Sequence, residues 1–185
     1  MKSVDKKLIR LFDIVFSLMG IVFFLPLMSV IFFLCWLDTG SPIFSQPRLG
    51  KNKIVFNLLK FRTMGLATIS RPTHQISKQH ITYVGSYLRK YKLDELPQFF
   101  NVLRGEMSLV GPRPGLPGDK ELTVERDKLN VFEVLPGMTG LSQICKIDMS
   151  SPEKLAITDK VFIDTCNIFQ YFKILWLTIY KNIRS

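Results

Sequence analysis

Cysteine is scarce in this 185-residue chain. There are three, Cys35, Cys145 and Cys166, odd in number and far apart. That argues against a disulfide framework and fits a reducing compartment. Histidine is scarcer still. His74 and His80 lie in a polar stretch with no cysteine near them, which argues against a zinc site. Acidic residues number 15 against 25 lysines and arginines, for a net charge of +10. A site built from many carboxylates, such as that of a two-metal hydrolase, is therefore poorly supplied. Internal repeats and low-complexity tracts are absent. The length allows one domain of ordinary size plus an appended element, with enough chain to bury a core. The basic excess calls for anionic partners: phospholipid head groups, phosphorylated ligands or nucleic acid.

Charge is missing altogether from Ile14 to Leu37, 24 residues. As a straight helix this run is about 36 Å long, against a hydrocarbon core of about 30 Å. It is too long for the apolar part of a signal peptide, and Cys35-Trp36-Leu37-Asp38 offers no small-residue cleavage site. Pro26 lies near its middle and predicts a kink, leaving two arms of roughly 17 Å each. Ser17 and Ser29 are candidates to satisfy the freed backbone groups. Both flanks are basic: Lys2, Lys6, Lys7 and Arg10 before, and Arg48, Lys51, Lys53, Lys60 and Arg62 after. The positive-inside rule then puts both ends on the cytoplasmic side. A helix that enters, bends at Pro26 and returns fits both facts better than simple spanning. Spanning stays open, because proline is tolerated in spanning helices. The predicted organisation is a re-entrant anchor over 1–38 and a catalytic domain over 39–185.

Beyond the turn at Gly40-Ser41-Pro42, residues 54–61 are apolar and partly β-branched, which predicts a strand. Residues 65–79 are polar and predict a loop, either a mobile lid or a plain surface connection. Short helices are predicted over 84–90 and 96–103, the second ending before Gly105. Leu96, Phe99, Phe100 and Leu103 follow helical spacing as a core-facing stripe. Residues 108–114 and the glycine cluster Pro136-Gly137-Met138-Thr139-Gly140 read as turn-rich. Residues 152–165 predict a helix with Pro152 in its first turn. Over 168–183, aromatics interleave with lysines. That suits either a helix lying in the membrane interface or one packed on the core.

Asp94 and Glu95 stand out as adjacent acids in a basic chain, just before Pro97. In isolation such a pair caps a helix and favours its dipole. Its surroundings offer more. Arg89, Lys90, Lys92, Arg104 and Arg113 are close in sequence, and helix starts also bind phosphate. One carboxylate can attack phosphorus to form an acyl phosphate. The other can hold Mg²⁺, which takes one or two protein carboxylates and fills its remaining positions with water and phosphate oxygens. Lys60-Phe61-Arg62 brings two cations, either for phosphate or as a solvated edge. Arg113 lies between Pro112 and Pro114, which restrict the backbone and fix where the guanidinium points.

These segments resemble a known family. Lys60-Phe61-Arg62-Thr63-Met64, Leu88-Arg89-Lys90, Leu93-Asp94-Glu95-Leu96-Pro97-Gln98, and the block from Asn101-Val102-Leu103-Arg104-Gly105 through Gly111-Pro112-Arg113-Pro114 look like the bacterial sugar transferases. More narrowly, they resemble the small monotopic phosphoglycosyl transferases, from about Lys7 to Lys181. The resemblance implies an α/β, mostly helical fold. In it a re-entrant membrane helix hairpin and membrane-surface helices surround a small mixed catalytic domain. It implies transfer of a sugar-1-phosphate from a UDP-sugar to polyprenyl, usually undecaprenyl, phosphate, with release of UMP. The intermediate would be a covalent phosphosugar on the aspartate. It would start a surface glycan at the cytoplasmic face of the bacterial inner membrane. Carried over, Asp94 is the nucleophile and Glu95 the Mg²⁺ ligand. Arg89 matches the arginine near the polyprenyl phosphate, while Lys60, Arg62 and Arg113 line the phosphate site. Pro26 matches the helix-breaking proline, with Leu25 where serine is common.

The chain also departs from the family pattern. Leu135 replaces a basic residue before Pro-Gly-x-Thr-Gly, and 144–148 lacks the Asn-Gly-Arg of many members. Gln143 and Asp159 sit at matching positions and are candidate substrate contacts. The chain has none of the extra membrane helices of larger relatives and reads as a minimal catalytic form. Phospholipid is an expected partner, and polymeric nucleic acid is not. The contrasting reading is a non-catalytic basic module that binds anionic lipid or nucleic acid at the membrane surface, with salt-sensitive binding. That reading gives the acid pair no work. A diphosphate hydrolase would share the site but release free sugar phosphate.

Overall fold

A computed structural model of the protein describes residues 3–66 and 80–184. Helix α1, Ser3–Thr39, has 37 residues and is about 55 Å long. It is the one described helix long and apolar enough to cross a membrane by length and composition. It continues through Pro26 as one element, so the expected hairpin is not drawn as two separate helices. A proline inside a helix deletes a single backbone bond, here the one to the Val22 carbonyl. Neither expected serine takes that carbonyl up. Ser29 Oγ donates to Leu25 O (2.9 Å), and Ser17 Oγ is buried with no partner among the described residues.

One face of α1 is buried and the other is bare. Ile9, Asp13, Ser17, Met28, Ile31 and Cys35 face inward, while Leu18, Val22, Phe23, Phe33 and Leu37 are exposed. The inward face joins both hydrophobic clusters. Ile9, Phe12 and Phe16 pack with Phe56, Val102, Met107 and Tyr171. Phe24, Met28, Ile31 and Cys35 pack with Phe61, Leu88 and Leu96. Two polar contacts sharpen the fit. Arg10 donates to the carbonyls of Val102 (2.8 Å) and Leu103 (3.2 Å). Asp13 Oδ1 accepts from Ser108 Oγ (3.0 Å), Leu109 N (2.9 Å) and Tyr171 OH (2.8 Å).

Strands β1, Ile43–Leu49, and β2, Val55–Phe61, form an antiparallel hairpin, with Ile43 opposite Phe61 and Leu49 opposite Val55. Helix α2, Tyr83–Lys90, is capped by Thr82 Oγ1, which accepts from Gly85 N (3.0 Å). A 3-10 turn, Leu93–Glu95, follows Lys92, whose backbone is left-handed. Helix α3, Gln98–Arg104, then ends at Gly105, which takes a φ of 82° that glycine tolerates. The segments read as turn-rich form a second, parallel sheet: β3, Ser108–Val110, beside β4, Gly137–Thr139. The approach there is very close. A Cβ at Gly137 would fall 2.0 Å from the Gly111 amide nitrogen, so no other residue fits.

Helix α4, Lys120–Lys128, short helix α5, Leu141–Ile144, helix α6, Pro152–Thr165, and helix α7, Ile168–Arg184, complete the domain. The expected packing on the core holds for one face of α7, and the other face is left bare. Tyr171 and Ile174 are core residues, while Phe169, Trp176 and Ile179 are exposed. The predicted loop at 65–79 lies almost wholly outside the described residues, as does His74.

Candidate active site

A cavity of about 1350 Å³ opens between the β1–β2 hairpin, the 3-10 turn, β4, α1 and α7. Its walls differ in character. Lys60, Arg62, Arg89, Lys92, Asp94, Glu95, Arg113 and Arg48 line the polar part, and Phe16, Phe24, Phe169, Phe172, Leu175 and Trp176 line the apolar part. Asp94 and Glu95 are its only carboxylates among the described residues.

The acid pair caps no helix. The N-cap of α3 is Pro97, and no side chain caps it or the preceding 3-10 turn. Both acids lie inside that turn, which β2 and α2 hold against the cavity. The two carboxylates have different surroundings. Glu95 Oε1 accepts from Lys60 Nζ at 2.7 Å and lies 3.8 Å from Arg113 Nη2. Burial alone would raise the Glu95 carboxyl, but Lys60, Arg113 and Lys92 outweigh it and hold it at about 2. Asp94 is buried and forms no ion pair among the described residues. Burial raises its carboxyl above the ordinary value, and the adjacent Glu95 adds to this, against the pull of Lys60 and Arg89.

The expected cations gather here. Lys60 near the end of strand β2 and Arg62, one residue beyond it, both line the cavity, which resolves the ambiguity of their triplet. Arg62 is partly engaged, donating from Nε to Ser41 O (2.9 Å) with its guanidinium over Phe44 (5.4 Å). Arg89 donates to Thr63 Oγ1 (2.8 Å), which steadies it beside Asp94. Gln143 lines the cavity with Nε2 donating to Met138 O (2.9 Å). Asp159, expected as a candidate substrate contact, does not line the cavity. It is 1% exposed and paired with buried Arg126 at 2.6 Å, so it has no surface to offer a ligand.

Arg48 was not among the expected site residues and had counted only as flanking charge. It is buried on β1, donates to Gln46 Oε1 (2.7 Å) and Pro114 O (3.1 Å), and lines the cavity. Burial and the nearby Arg113 lower its pKa to about 10, against the opposing pull of Glu95. The alternation Gln46-Pro47-Arg48 was the available signal, hidden by a proline that argues against a central strand.

The donor set suits Mg²⁺. Glu95 Oε2 carries no hydrogen bond among the described residues, so one carboxylate oxygen is free beside a cation-lined space sized for phosphates. Magnesium needs no more protein ligands than this when phosphate supplies the rest.

The chain matches the family model for bacterial sugar transferase over residues 4–185. It is similar to an uncharacterized sugar transferase of Haemophilus influenzae, at 41% identity over 73% of this chain and 32% of that protein. It is similar to an undecaprenyl-phosphate glucose phosphotransferase of Komagataeibacter xylinus, at 36% over 95% of this chain and 36% of that protein. An uncharacterized sugar transferase of Bacillus subtilis, EpsL, is 39% identical over 95% of this chain and 87% of its own length. The chain thus spans about a third of the first two relatives and most of the third. Matched across nearly its whole length, the chain belongs to the bacterial sugar transferase family.

Proposed function

We infer that the protein transfers a sugar-1-phosphate from a UDP-sugar to polyprenyl phosphate and releases UMP. The carrying observation is the split between two adjacent acids, one neutralised by cations and one left unpaired against the cavity. An Asp94 oxygen attacks the sugar-bearing phosphorus, forming an acyl phosphate as the bond to the UMP phosphate breaks. A polyprenyl phosphate oxygen then attacks the same phosphorus. The aspartyl bond breaks, the carboxylate is restored and a lipid diphosphate sugar is formed. Lys60, Arg89 and Arg113 offset the charge of two anionic substrates meeting an anionic nucleophile. Glu95 would hold Mg²⁺, which when bound supplies further neutralisation of phosphate charge.

Several features support a monotopic anchor, and the basic residues flanking the apolar run support the cytoplasmic face. Arg10 and Asp13 near one end of α1, and Cys35 near the other, pack on the same domain. A simple span would put the bilayer between those contacts. The cavity's mixed walls support the same reading, with phosphate-binding cations at one side and an aromatic side continuous with bare faces of α1 and α7. The Komagataeibacter relative is described as acting on undecaprenyl phosphate, which supports a lipid acceptor here. The product fits the first step of a surface glycan.

The test is direct. Purified protein with a UDP-sugar and Mg²⁺ alone should release about one UMP per enzyme and gain the mass of a phosphosugar. Polyprenyl phosphate should then allow turnover. Asp94→Asn should lose both the adduct and turnover, yet melt no lower than wild type, since burial disfavours the charge it removes. Full activity in Asp94→Ala would exclude the aspartyl route.

A further inference from the structure

Prolines 112 and 114 leave the loop around Arg113 short of backbone donors, so its carbonyls are its main handles. Four consecutive carbonyls are held. Pro112 O accepts from Gly137 N (2.8 Å) and Gly115 O from Leu49 N (2.9 Å). Between them, Arg113 O accepts from Arg126 Nη1 (2.8 Å) and Pro114 O from Arg48 Nη1 (3.1 Å). Two of the four donors are thus buried arginine side chains, 2% and 7% exposed. Burying such charges is costly unless they are matched.

Arg126 is matched. Its Nε and Nη2 donate to Asp159 Oδ2 at 3.0 and 2.6 Å, and Asp159 Oδ1 accepts from Ser142 Oγ at 3.0 Å. The chain of contacts runs from α6 through α4 to the loop, with its far end on α5 beside Gln143. The Arg113 side chain itself is only loosely held. It is 39% exposed and 3.8 Å from Glu95, beyond hydrogen-bond range. Its aim is set through its backbone, and it remains free to bind an oxygen anion.

We propose that Arg126, fixed by Asp159 and Ser142, and Arg48 on the opposite side are positioning residues that hold the Arg113 backbone so that its guanidinium meets a substrate phosphate. This rests on the transferase reading. It gives Asp159 a role at a distance from substrate, and it explains why an arginine is used. A planar fork serves a carboxylate and a carbonyl together, and a lysine does not.

Arg126→Lys keeps the charge opposite Asp159 and removes the fork. In hydrogen exchange of the full-length protein without substrate, the Leu49 and Gly137 amides should exchange about tenfold faster, as expected for loss of one hydrogen bond's support. Amides in α7 should be unchanged. For UMP release, Arg126→Lys should lower kcat/KM about tenfold or more when Arg113 is present. In an Arg113→Ala background it should add less than about threefold, because the two act as one unit. Equal factors in both backgrounds overturn the proposal, as does unchanged exchange at Leu49 and Gly137. If Arg126→Lys fails to fold, Ser142→Ala is taken through both measurements, with the same outcomes deciding. Failure of the wild type to release UMP would count against the transferase reading, whereas the exchange experiment bears on positioning alone.

Discussion

Lys60 acts on both acids of the site. Its ammonium bonds Glu95 and is the largest influence pulling the Asp94 carboxyl down against burial. Removing it as Lys60→Met raises Asp94 further. In the proposed aspartyl route the attacking form is the ionised one, so the acid limb of the rate profile should move to higher pH, measured against wild type at the same Mg²⁺ concentration. An unmoved limb would mean that the group titrating in catalysis is not Asp94. Glu95 should add no acid limb above about 2, where its cations hold it. The acids and Arg113 were legible in sequence because adjacency and flanking prolines are local signals. Arg48 and Arg126 were not. Their partners, Pro114 O and Arg113 O, are 66 and 13 residues away, and no local pattern encodes such a contact.

Helix α1 shows what a single buried carboxylate does for a whole element. Asp13 lies one residue before the uncharged run and gathers donors from β3 and α7 at once. Asp13→Ala strands three buried donors and should cost about 2–4 kcal/mol, read by denaturation in micelles. Asp13→Asn keeps an acceptor and should cost less. Helices α6 and α7 were readable because proline at the first turn and aromatic spacing are helix signals, and their predicted bounds nearly match the observed ones. Strands β3 and β4 were not, since three-residue strands flanked by glycine and proline look like turns until they pair. Arg10, read as membrane-flanking charge, instead closes the carbonyl end of α3.

Across the whole molecule, both ends of α1 should be reached from one side of the membrane. With Cys145, the one exposed cysteine among the described residues, replaced by serine, Lys7→Cys and Lys51→Cys in oriented vesicles should be labelled together by an impermeant maleimide, or protected together. Labelling of only one would establish a span. The same helix has a second consequence. Phe16 and Phe24 of α1 are walls of the cavity, and Ile9, Met28, Ile31 and Cys35 are part of the core. The anchor therefore cannot be clipped off to free a working catalyst. On the proposed reading, detachment and inactivation are one event, so a cell would ration this chemistry by membrane area, with no soluble pool drawing on the nucleotide sugar supply.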